Sequence, residues 1–177
     1  MHSSTPKVKL TTRELVLFAS LAGIMFLSKI GMQWIPNVHF LGMFLASFTL
    51  CYRTKALIPL YVFILLDGVY WGFSIFWVPN LYIWLPLWLC FMIIGIFKIH
   101  KKIRVPLYMI LCAFHGLAFG TMYAPFQAFM FGLNMQGMIA WIIAGIPFDI
   151  IHGVGNFVAG SLIVPLTGLL KKLNQIH

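Results

Sequence analysis

Only 8% of the residues are charged, and most of them sit in short clusters between long apolar runs. Hydrophobic residues fill 62% of the 177 positions, which leaves too little polar surface to coat a water-soluble domain. Lipid is the solvent that suits such a chain. In lipid the backbone must satisfy its own hydrogen bonds, so the apolar runs are read as α-helices. At about 20 apolar residues per crossing, the length allows six or seven helices with short loops. The expected architecture is all-α: one integral membrane domain over 1–177, preceded at 1–13 by a polar cytoplasmic N-terminal segment. No small-residue cleavage site follows the first apolar run, which is expected to be a retained anchor rather than a signal peptide.

Apolar runs and their breakers predict six helices, at about 15–34, 40–52, 56–77, 82–97, 105–131 and 137–170. The second is short for a crossing and is expected to be tilted, broken or covered by protein. Pro125 should kink or end the fifth. Pro147 and Pro165 give the sixth places to bend. Lys7, Lys9, Arg13, Arg53, Lys55, Lys98, Lys101, Lys102, Arg104, Lys171 and Lys172 all fall on one side of this topology, leaving Lys29 alone of the twelve basic residues on the other. The positive-inside rule then places both termini in the cytoplasm. The same placement accounts for the net charge of +9 through anionic lipid headgroups, without nucleic acid.

The chain has three acids. Glu14 suits the first turn of the first helix, where a negative charge meets the helix dipole. Asp67 and Asp149 lie mid-span, where carboxylates are expensive and face a cavity or a partner. Partners open to Asp67 are His115, His152 and Lys29. Lys29 either snorkels to the outer headgroups or contacts a ligand at the outer mouth. Asp149, His152 and Asn156 follow an i, i+3, i+7 spacing and share one helix face. Such a stripe binds a polar ligand or knits helices together by hydrogen bonds.

All six Trp are placed in the outer halves or near the outer loops, which suggests an aromatic-lined pocket opening outward as well as an interfacial belt. Ala19 and Gly23 make a small-xxx-small pair on the first helix, for internal packing or for docking another subunit. The three Cys have no CxxC spacing, and the His residues form no HxxxH or HExxH, so no metal site is expected. A phosphate-cradling GxxxxGK[ST] loop is also missing, so ATP hydrolysis is not expected of this chain.

Several segments together resemble the substrate-binding S components of energy-coupling factor (ECF) transporters. They are Pro36-Asn37-Val38-His39 before a short second helix, Lys55 to Tyr61 leading to Leu66-Asp67-Gly68, Tyr82-Ile83-Trp84, and Ala144 to His152 with Asn156. Pro165-Leu166 before the terminal lysines completes the likeness, which covers nearly the whole chain. The family carries an AxxxA-type docking motif on its first helix, matched here by Ala19 to Gly23 with Gly in the last place. The resemblance implies a non-enzymatic, multi-pass subunit in a prokaryotic plasma membrane, without cofactor. Such a subunit captures a vitamin or vitamin precursor outside the cell. Its implied partners are a membrane coupling subunit and two ABC-type ATPases, which use the ATP. Implied ligand residues are Asn37, His39, Trp84, Tyr123, Gln127, Trp141, His152 and Asn156, with Asp149 as ligand or gate. The scarcity of outer charges and the wealth of aromatics favour a ring ligand of cobalamin, pyridoxine or hydroxymethylpyrimidine/thiamine type. The competing readings are a membrane enzyme using Asp149 and His152 as an acid–base pair, and a structural subunit of a membrane complex.

Overall fold

The computed structural model describes residues 10–175. The expected segment 1–13 therefore lies largely outside the described residues, as do Lys7 and Lys9. The described chain is all helix and turn, with no strand. Its helices are α1 (Thr12–Gly31), α2 (Leu41–Tyr52), α3 (Leu57–Trp71), α4 (Leu85–Ile94), α5 (Lys101–Leu117), α6 (Phe119–Phe131), α7 (Met135–Gly160) and α8 (Ile163–Gln175). Four helical stretches are long and apolar enough to cross a membrane: Thr12–Gly31, Leu41–Trp71, Lys101–Phe131 and Met135–Gly160, with Val78–Ile94 shorter. Large apolar side chains such as Val16, Leu27, Val69, Phe114, Phe129 and Val154 point outward. Water would not tolerate so continuous an apolar surface, and the protein is a multi-pass helical membrane protein.

Side-chain contacts fix the direction of each helix. Glu14 pairs with Lys55 at one end of α1, and Lys29 pairs with Asp67 at 2.5 Å at the other. α1 and α3 therefore run parallel. α2 must return between them, and Tyr52 at its end packs edge-on against Phe18 of α1. Its turn into α3 is sharp: Arg53 takes φ +56, and a 3-10 turn, Arg53–Ala56, follows. The Leu41–Trp71 stretch is thus two antiparallel helices. α4 descends beside α2, and Trp88 donates to the Arg53 carbonyl. α5 and α6 follow end to end across the turn at Ala118 and climb back, and α7 runs antiparallel to them, from Trp141 beside Tyr123 to Gly160 against Met109. Thr167 of α8 lies on Cys51 of α2, and Arg13 donates to the Leu173 carbonyl, so both ends of the described chain meet. That end holds the basic clusters and is called the basic end. The opposite one is the loop end.

The helix limits depart from expectation for local reasons. α3 stops at Trp71 because Gly72 adopts φ +92, after which Trp77 folds back to donate to the Ile64 carbonyl at 2.8 Å. α4 spans ten residues, between Pro86 in its first turn and Gly95 at its end. The fifth expected helix breaks at Ala118, well before Pro125, which sits inside α6. The sixth divides at Ser161–Leu162 into α7 and α8, and Pro147 does not interrupt α7. At about 1.5 Å per residue, α2 is about 18 Å long, well under a bilayer core of about 30 Å. It is wrapped in protein, with eight of its residues from Leu41 to Thr49 buried. Trp88 corrects the aromatic expectation. α4 is so short that this residue already reaches the basic end, so not all six Trp lie in the outer half.

Candidate functional site

Two adjoining cavities open at the loop end. The first, of about 270 Å³, is walled by the 32–39 loop, with Lys29, Phe63, Asn80 and Trp84 around it. The second, of about 290 Å³, lies between α6 and α7 and is lined by Tyr123, Gln127, Trp141, Phe148 and Asp149. Asn37, Phe119 and His152 border both.

The loop is shaped by its sequence. Pro36 and Asn37 occupy the middle of a turn closed by a Val38 N–H to Ile35 carbonyl bond of 3.3 Å. Asn37 has φ +58. Pro followed by Asn in the left-handed region is the pattern of a type II turn. This turn delivers His39 to α7, where its Nε2 meets His152 Nε2 at 2.5 Å. One ring donates and the other accepts, so at least one imidazole is neutral. Desolvation comes first, then the nearby His152 and Lys29. Together they hold the His39 pKa well below its ordinary 6.5.

Rings continue the wall. Trp84 stacks on His115 at 5.4 Å and meets His39 edge-on at 5.7 Å. Phe119 lies 4.5 Å from His152 and stacks on Tyr123, which stacks in turn on Trp141. Tyr123 is also held by the Phe76 carbonyl. His115 Nε2 donates to the Ile83 carbonyl at 2.8 Å, and its Nδ1 is buried with no hydrogen-bond partner among the described residues.

The stripe on α7 is buried as its spacing required: Asp149, His152 and Asn156 all face the bundle. Asp149 accepts the Gly120 N–H at 2.9 Å. A Cβ at position 120 would stand 2.5 Å from Asp149 Oδ2, so any larger residue there must displace the carboxylate. Asn156 lies deeper, wedged between Gly42 and Gly116, with neither amide atom bonded among the described residues. Trp84 Nε1 and His39 Nδ1, on residues lining the first cavity, are also buried and unpartnered. Such atoms are costly unless something else satisfies them.

Eight of the nine candidate ligand residues thus border one cavity or both, and Asn156 sits beneath them. Phe119 and Asn80 join them without having been singled out as candidates in the sequence. Of the partners open to Asp67, the structure selects Lys29. Lys29 also lines the first cavity, so it does more than reach for headgroups. Among the described residues no group of three His, Cys, Asp or Glu is placed to hold a metal ion. On α1, Ala19 is exposed and a side chain at Gly23 would meet nothing within 4 Å. This small-residue face is open rather than spent on internal packing. Comparison of the chain with protein-family models, with curated proteins and with solved structures finds no match.

Proposed function

We propose that this chain is the membrane-embedded substrate-binding subunit of an ECF-type importer, with six crossings and both termini in the cytoplasm. The observation that carries the reading is the pair of ring-lined cavities at the end opposite the basic clusters, joined through Asn37, Phe119 and His152. Under the positive-inside rule the basic end faces the cytoplasm, so these cavities face outward. Flat side chains spaced along the wall suit a flat ring. Cavities of about 270 and 290 Å³ favour a small one- or two-ring vitamin or precursor of the pyridoxine or hydroxymethylpyrimidine/thiamine type over cobalamin. Asp149 is the one charged residue lining the second cavity, which favours a ring bearing amino or cationic nitrogen. The open Ala19–Gly23 face is where a coupling subunit docks, and two ABC-type ATPases supply the energy.

An acid–base enzyme is the weaker reading. Asp149 is engaged by Gly120 and His152 by His39, and the two side chains do not bond to each other. The test is mass spectrometry of small molecules released from the purified chain, followed by a binding panel of pyridoxine-, hydroxymethylpyrimidine- and thiamine-type compounds in nanodiscs. Saturable binding that Trp84→Ala and Asp149→Asn weaken supports the proposal. No binding across the panel, with no capture of a coupling module, sinks it.

A further inference from the structure

A third cavity lies at the basic end, away from the ligand site. It measures about 320 Å³ and is bounded by Leu50 of α2, the α4–α5 connection and α8. Arg104 and Lys171 line it, together with Tyr108 and Thr167. Gly95 forms another part of the wall, and the Arg53 guanidinium lies directly against it. Arg53 Nη1 and Thr167 Oγ1 are buried without a hydrogen-bond partner among the described residues.

The three acidic side chains of the protein are all committed elsewhere. Glu14 pairs with Lys55, Asp67 with Lys29, and Asp149 accepts from Gly120. No acidic side chain is left for the cations around this cavity. Like charges gathered at a partly dry site repel one another, and an anion brought in from outside relieves that repulsion. Guanidinium groups and a hydroxyl match the donor needs of a phosphate oxygen set.

We propose that this cavity is a phosphate-binding site, filled by the headgroup of an anionic phospholipid or by free inorganic phosphate. The test uses the full chain in detergent, titrated with phosphatidylglycerol or phosphatidylcholine and followed by native mass spectrometry. Arg104→Gln and Lys171→Gln each weaken phosphatidylglycerol retention by roughly fivefold. Lys98→Gln, exposed on the same end but outside the cavity wall, leaves it unchanged. Gly168→Glu is the second variant. A side chain at this lining position meets nothing within 4 Å, and Glu is a better helix former than Gly, so folding is preserved while a negative charge enters the cavity. It should abolish retention with no fall in melting temperature.

Displacement of phosphatidylglycerol by millimolar phosphate identifies free phosphate as the natural occupant, and resistance to it identifies the lipid. Equal retention by Gly168→Glu and the parent chain overturns the proposal. So does a loss in Lys98→Gln as large as in Arg104→Gln, which would mean diffuse surface charge. Unchanged lipid binding in Arg104→Gln with loss of coupling-module capture would assign the cavity to a protein partner instead.

Discussion

The two sides of the bundle keep their helices in register by opposite means. α1 and α3 run parallel and are pinned by ion pairs at both ends, Glu14–Lys55 and Lys29–Asp67. α5–α6 and α7 run antiparallel without an ion pair between them. They meet through glycines: a Cβ at Gly116 would stand 2.8 Å from the His152 carbonyl, and one at Gly160 2.7 Å from Met109 Cα. End-to-end charge pairing sets register without forcing backbones together, and it leaves the far face of α1 free. Glycine contact brings backbones close and buries the polar stripe of α7 between them. The first device suits a face offered to a partner, and the second suits a preformed site.

The most damaging way to break this contrast is Gly116→Val, which drives α5 away from α7. Overpacking of this kind costs about 1–3 kcal/mol, and the two upper cavities lose their shared wall. Melting temperature and ligand retention should fall together. A variant that melts like the parent would show that the seam does not depend on close backbone approach.

Asp67→Asn leaves Lys29 unpaired near the loop end. The expected loss is about 1–2 kcal/mol, between exposed and buried ion-pair values because Lys29 is 32% exposed. Exchanging the pair, Lys29→Asp with Asp67→Lys, should recover most of it in a thermal melt. Failure of the exchange would mean that the surroundings, including Phe63 beneath the ammonium, set the orientation.

Acid should have a smaller effect. The His39 pKa lies below its unfolded value of 6.5, so protonation favours the unfolded loop. Stability is full above the unfolded value and declines as the pH falls through the depressed folded one. His152, Lys29 and His115 surround His39 and oppose its charging. His39→Gln should flatten the acid limb of melting temperature against pH, and an unchanged limb would place the titration elsewhere.

The smallest effect on stability is expected for Gly23→Val, where the new side chain meets no neighbour. Its melting temperature should match the parent within error while capture of a coupling subunit fails. Retained capture would remove the α1 face from the docking surface.

Much of the bundle was legible because lipid imposes one rule on every apolar run. The basic clusters also marked one end of the molecule correctly. What stayed hidden was local. Gly72 and Ala118 end helices by backbone geometry inside apolar sequence, while Pro125 and Pro147, the conspicuous breakers, lie within intact helices. The parallel pairing of α1 with α3 links residues far apart in the chain, so three partners for Asp67 had looked equal. The stripe of α7 was readable from its period. That Asn156 falls below the cavities follows from helix rise, which carries it about 10 Å beyond Asp149. Phe119 gave no signal: one phenylalanine among 17 carries no mark of standing between two cavities.

The Lys29–Asp67 pair has a consequence for synthesis of the protein. Its partners are 38 residues apart, so the ribosome delivers the cation first. At about 5–20 residues per second, α1 waits roughly 2–8 s before its counter-charge exists. During that interval the lysine must keep to the headgroup layer. The arrival of α3 draws it onto Asp67 and fixes the order in which the first helices assemble.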